Sequence, residues 1–218
     1  LLACLLAGAL FASTSQIVEQ SSVPWRLNWE LVWPIAWRVI WAVAGLLVLL
    51  RGLCNVLDGM VAVARGTASR VGELWNELPD RLSDAAMLVG LGYALGGSSA
   101  LGWAAALAAV LTAYVRAQCR ALGVPQDFGG PMAKPTRLIL VGVSGIAMSL
   151  LPQQWTLGWA GRWLGELPLG GMTLDPTAGL PAFVLLIVLV GSLLTAWRRV
   201  RRAARFLRRE FLPERRDE

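Results

Sequence analysis

Charge is scarce in this sequence. Only 16% of its 218 residues are Asp, Glu, Lys or Arg, against about a quarter in soluble domains. Lys134 is the single lysine among 20 basic residues. Hydrophobic residues reach 56% and mean hydropathy is +0.57. The apolar residues come in long blocks rather than alternating with polar ones, which excludes an ordinary soluble domain and reads as a membrane composition. Cysteine is also sparse. Cys4, Cys54 and Cys119 stand isolated, without metal-type or redox-type spacing, in or at the ends of apolar segments, where a free Cys behaves as a small hydrophobe. The chain has no internal repeat and no low-complexity linker, so one domain is expected. No basic stretch precedes residues 1–12, and the chain opens on Leu1. These residues read as the surviving end of a first spanning helix rather than as a signal peptide.

Crossing the hydrocarbon takes about 20 mostly apolar helical residues. Six segments meet or approach this: 1–12, about 34–57, 82–97, 100–119, 136–152 and 179–197. The expected fold is therefore all-α and polytopic, with six transmembrane helices over 1–197 and a basic tail over 198–218. Lys and Arg gather in the links after segments two and four (Arg65, Arg70, Arg116, Arg120, Lys134, Arg137) and in the tail, whereas the alternate links hold only Arg26 and Arg162. By the positive-inside rule, the first set faces the cytoplasm of a cytoplasmic-type membrane. A sequence pI near 10.2 would suit nucleic acid. Nine of the basic residues lie beyond Trp197, however, directly after an apolar segment, and such a tail reads as an anchor to anionic headgroups. No nucleic-acid partner is expected. Trp25, Trp29, Trp33, Trp37 and Trp41 recur every four residues, as do Trp155, Trp159 and Trp163. Both stripes read as interfacial belts.

An ionisable side chain in a spanning helix is costly unless it faces water or a partner, so it flags function. Segment two ends Arg51-Gly52-Leu53-Cys54-Asn55-Val56-Leu57-Asp58-Gly59, which places Asn55 and Asp58 on one helix face. After a short basic link, Asn76, Asp80 and Asp84 recur every four residues, with Glu73 and Glu77 beside them. Two helices so closely joined are expected to be antiparallel neighbours whose polar ends meet. Clustered carboxylate and amide oxygens are what a hard divalent cation takes alongside substrate phosphates. Helix-end caps and solvated charges would give the same residue types. On the same membrane face, Arg116, Lys134 and Arg137 suit a lipid phosphate or an acceptor, although positive-inside topology alone also places cations there.

Residues 55–80 resemble the signature of the CDP-alcohol phosphotransferase family, D-x2-D-G-x2-A-R-x8-G-x3-D-x3-D. Here it reads Asn55-x2-Asp58-Gly59-x2-Ala62-Val63-x8-Gly72-x3-Asn76-x3-Asp80, without a gap and with five of eight fixed positions identical. The family's six-helix architecture extends the likeness over most of the chain. Three positions depart from the signature: Asn55 and Asn76 stand for Asp, and Val63 for Arg. The four ligand positions therefore carry two negative charges instead of four.

The resemblance implies a membrane phosphotransferase that moves a phosphatidyl group from a CDP-diacylglycerol-type lipid to an alcohol acceptor and releases CMP, in phospholipid synthesis. It implies Mg²⁺ or Mn²⁺ held by Asn55, Asp58, Asn76 and Asp80, with Asp84 a further candidate, and Asp80 as the base for the acceptor hydroxyl. Gly59, Ala62 and Gly72, with Arg65 near the lost arginine, would line the nucleotide. Gly59 and Gly72 read equally as helix-packing glycines. Membrane lipids and a second copy of the chain, as a homodimer, are the partners implied. The two asparagines support a different reading: an inactive member that binds nucleotide-lipid or serves a membrane partner. A transporter fits least, since transporter sites lie near the midplane and these polar residues cluster at one face. The acceptor alcohol is not legible in the sequence.

Overall fold

Apolar runs set the helices of a computed structural model that describes residues 1–21, 29–65, 70–125, 129–160 and 177–211. The chain forms α1 (Leu2–Ser21), α2 (Trp29–Arg65), α3 (Arg70–Gly92), α4 (Ser99–Ala121), α5 (Lys134–Leu150), the single turn α6 (Gln153–Thr156) and α7 (Leu180–Phe211). No strand occurs among the described residues. Local chemistry sets several ends. The Ser98 side chain accepts from the Leu101 N–H to start α4, and Pro135 sits in the first turn of α5, where its missing N–H has no helical partner to lose. α7 continues without interruption past Trp197, so the apolar segment and the first two thirds of the basic tail are one helix.

Each of the six expected segments overlaps a long helix, although 82–97 runs past the end of α3 at Gly92. Among the described residues, three stretches are long and apolar enough to cross a membrane by length and composition: Pro34–Val61, Ser99–Ala121 and Leu180–Arg209. Leu2–Gln16 is apolar but shorter, α5 has 17 residues, and α3 carries charge through its first half.

The long helices close a ring in the order α1, α2, α5, α7, α4, α3 and back to α1. Among the described residues, α2 and α3, expected to be antiparallel neighbours, share no packed face and meet through Arg51 and Asp80. α2 lies on α1 and α5, and α3 lies on α1 and α4. Glycines let backbones touch around the ring. A Cβ on Gly45 would sit 2.7 Å from the Gly142 oxygen, and one on Gly145 would sit 2.8 Å from the Gly45 Cα, so α2 and α5 meet without side chains between them. The interior holds Phe11, Trp41, Met87, Leu91, Met148 and Leu185, all fully buried. Outward faces expose Leu46, Leu50, Leu107, Ile139, Val143 and Val190. Apolar residues on both sides of a helix are what a lipid-facing bundle requires.

The tryptophan stripe departs from expectation. Trp37 and Trp41 are core residues at 2% and 0% exposure rather than belt anchors. Trp41 stacks 5.1 Å from Phe11, and the Trp37 indole N–H donates to the Met148 carbonyl at 3.3 Å. Residues recurring every four positions share a helix face, and the face carrying Trp37 and Trp41 points inward. Trp155 is exposed, whereas Trp159 packs edge-on to Phe183. Trp25 and Trp163, and the side chains of Trp29 and Trp33, lie outside the described residues.

Candidate functional site

Polar helix ends that could not pack on each other are joined by long side chains. Arg51, inside the apolar run of α2, reaches α3 and donates to one carboxylate oxygen of Asp80, while Lys134 at the start of α5 donates to the other. The Asp80 side chain is 9% exposed, Arg51 10% and Lys134 22%. Pro79, directly before Asp80, lies inside α3 and interrupts its hydrogen-bond ladder at this point.

The same pattern extends along α3 in both directions. One turn earlier, Glu77 takes hydrogen bonds from Arg81 and from Arg116 on α4, the latter at 2.5 Å. One turn later, Asp84 pairs with Arg137 of α5 at 3.1 Å, with side chains 4% and 3% exposed. Arg137 also donates to the Thr112 hydroxyl at 3.2 Å. Arg199 of α7 donates to the Thr112 carbonyl at 3.0 Å, so α3, α4, α5 and α7 are tied together at this level.

Electrostatics follow from this crowding. Burial pushes the Lys134 ammonium down to about 8; the Asp84 carboxylate opposes that fall, and the Arg51 guanidinium adds to it. Burial alone would raise the Glu77 carboxyl. The hydrogen bond and charge of Arg81, helped by Arg116, hold it below the usual range instead.

The predicted acidic and basic groups do meet: Asp80 with Lys134, and Asp84 with Arg137. Arg116 joins them through Glu77. Arg137 is buried against Asp84. Asp58 is exposed, two turns along α2 from Arg51, or about 10 Å at 1.5 Å per residue. Gly59 is not a packing glycine: a Cβ there would meet nothing within 4 Å. Gly72 is exposed, and the side chains of Ala62, Arg65 and Asn76 lie outside the described residues.

Arg51 carries no role in the signature. Its signal was nonetheless visible: a charge inside an apolar helix, one turn before Asn55 and on the same face.

Part of the donor set fits the divalent metal that the resemblance implies. Both Asp80 oxygens already receive cationic donors. Asp84 Oδ1 is buried without a partner among the described residues and Asp58 is exposed, so anionic oxygens remain for such an ion. Among the described residues, no three acidic or cysteine side chains gather as a metal site would need. Hard dications require several anionic or carbonyl oxygens free to turn toward them.

A family model described as CDP-alcohol phosphatidyltransferase matches residues 26–167. A phosphatidylinositol phosphate synthase of Mycobacteroides abscessus is 34% identical over 123 residues, which is 52% of this chain and 54% of that protein. A second one, of Mycolicibacterium smegmatis, is 33% identical over 113 residues, 48% of this chain and 50% of that protein. Inner membrane protein YnbA of Escherichia coli is 26% identical over 112 residues, 50% of this chain and 56% of that protein. The chain thus spans about half the length of the curated relatives it matches.

Proposed function

Because the chain belongs to the CDP-alcohol phosphatidyltransferase family, we propose that it transfers a phosphatidyl group from a CDP-linked lipid to an alcohol acceptor, with CMP as the leaving group. The observation that carries this reading is the bonding of the signature carboxylate Asp80 to Lys134 of a different helix. It joins a candidate base to a phosphate-binding cation in one buried cluster. The membrane setting is supported by the long apolar helices. Six crossings, a cytoplasmic site and tail, and a homodimer complete the reading. The Lys/Arg asymmetry supports the orientation.

In the reaction, Asp80 takes the proton of the acceptor hydroxyl. The acceptor oxygen bonds to the phosphorus nearer the lipid, and that phosphorus loses its bond to the bridging oxygen. CMP departs with the electron pair. Positioned cations stabilise charge on a transferring phosphoryl group, and this chain supplies Arg51 and Lys134 for that task. The open face at Gly59 suits close approach of a nucleotide to the α2 backbone. Two of the relatives are named phosphatidylinositol phosphate synthase, so a phosphorylated polyol is the first acceptor to try.

The second reading, an inactive member that binds nucleotide-lipid, is favoured by one observation: both oxygens of the candidate base are engaged. One experiment separates the two. Purified protein is given labelled CDP-diacylglycerol and Mg²⁺ or Mn²⁺ with a panel of alcohols that includes a polyol phosphate, and CMP is measured. CMP released with one acceptor supports the transferase. Donor binding without CMP from any acceptor supports the inactive member.

A further inference from the structure

Local chemistry does little to fix the start of α5. Ala133 at its N-cap makes no side-chain bond, yet Lys134 beside it reaches Asp80. The segment before it, residues 129–133, is instead seated on α7. Gly191, Thr195 and Arg199 recur every four positions and form one stripe along that helix. Gly191 leaves room for the Met132 side chain, since a Cβ there would sit 2.8 Å from Met132 Cε. The Thr195 hydroxyl accepts from the Met132 N–H at 3.1 Å. Arg199 Nε–H donates to the Gly129 carbonyl at 3.3 Å. Gly130 lies over Thr195 with φ +145°, a conformation that favours glycine, and a Cβ there would strike the Thr195 methyl.

The hydroxyl is the centre of this seat. Thr195 is fully buried, and its O–H donates to the Gly191 carbonyl at 2.7 Å. With that proton directed into its own helix, a lone pair is left to face the Met132 N–H. A buried N–H that loses its acceptor costs more than the bond itself contributed. Met132 stands two residues before Lys134, so the register of one sets the reach of the other.

We infer that Thr195 is a positioning residue for Lys134: its hydroxyl holds segment 129–133 on α7 and so delivers the chain's single lysine to Asp80. The part Lys134 plays in the reaction rests on the proposed transferase; the seat itself does not. Thr195 acts through Met132 and lies beyond both the signature, which ends at Asp80, and residues 26–167 that the family model matches.

The test uses the full chain in lipid nanodiscs with Mg²⁺. One readout is the rate at which an amine reagent modifies Lys134, the single lysine, followed by mass spectrometry of its own peptide. Thr195→Val keeps the shape and loses the hydroxyl. It should raise that rate by about threefold to tenfold, the net contribution of one hydrogen bond. Thr195→Ser, which keeps the hydroxyl, should return the rate most of the way to wild type. Gly130→Ala attacks the same seat from the segment's side and should act like Thr195→Val. Thermal unfolding shows which variants are folded. The other readout is kcat for CMP release in a double-mutant cycle. Thr195→Val should lower kcat on its own but add almost nothing in Lys134→Gln protein, because residues that act through one contact are not additive. Folded Thr195→Val and Gly130→Ala proteins labelled at the wild-type rate overturn the seat. Effects on kcat that multiply overturn the link from Thr195 to Lys134. Wild type that releases no CMP with any acceptor overturns the transferase reading, while faster labelling of Thr195→Val still upholds the seat.

Discussion

Arg137 and Asp84 are joined across α5 and α3 by a 3.1 Å ion pair whose side chains are only 3% and 4% exposed. Removing one partner of such a pair leaves a buried charge uncompensated, at a cost of about 3–5 kcal/mol. Asp84→Ala should therefore lower the unfolding temperature clearly. Asp84→Leu combined with Arg137→Met should recover most of the loss, because apolar replacement of both partners is close to neutral. Differential scanning fluorimetry in detergent reads both. If Asp84→Ala keeps wild-type stability but gives activity a new, steep Mg²⁺ requirement, Asp84 is a ligand and not a brace.

Asp80→Asn should suppress CMP release by about 10²–10⁴-fold, the usual contribution of a positioned base. An amide cannot accept the acceptor's proton. Size-exclusion behaviour should stay that of the folded protein. Near wild-type release from Asp80→Asn would assign the base elsewhere.

Gly59→Ala and Gly45→Ala should act in opposite senses on stability, although both place a better helix former in α2. A Cβ at Gly59 meets nothing within 4 Å, so Ala there should hold or raise the unfolding temperature, by up to about 1 kcal/mol of helix propensity. It should also weaken CDP binding by crowding the open face. Unchanged CDP affinity would remove Gly59 from the nucleotide site.

At Gly45 the same methyl would lie 2.7 Å from the Gly142 oxygen and 3.0 Å from the Ile146 nitrogen. α2 and α5 would have to separate, and Lys134, at the start of α5, would move with them. Gly45→Ala should lower both the unfolding temperature and CDP affinity. Stability equal to wild type would mean that the two helices can shift without cost.

A cysteine at Arg205, in a chain whose Cys4, Cys54 and Cys119 are replaced, should be labelled by a membrane-impermeant maleimide only after the cells are opened. Labelling in intact cells would invert the proposed topology.

Much of the fold was legible because it depends on local pattern. Runs of apolar residues fix where helices form, and all six expected segments overlap long helices. The candidate site was legible in part. The spacing from Asn55 to Asp80 falls on α2 and α3, and Lys134 and Arg137, read from the sequence as lying on the same membrane face as the acidic stripe, pair with Asp80 and Asp84. Trp37 and Trp41 were misjudged because a four-residue period gives a face but not the direction that face points. The pairing of α2 with α3 was misjudged because a short link limits the distance between helix ends without forcing the faces together.

The sequence by itself determined the helical segments, the scarcity of charge within them and the side-chain types at the signature positions. Each of these is set within a few turns of chain. Only the tertiary structure decided which charges neutralise which. Asp80 meets Arg51, 29 residues before it, and Lys134, 54 residues after it, because the ring brings α2 and α5 to the same level of α3. Coulomb energy depends on separation in space and on burial, not on separation along the chain. A stripe of carboxylates that suggests a cation site in one dimension thus becomes, once folded, a cluster in which Glu77, Asp80 and Asp84 are each bonded to a cation of another helix.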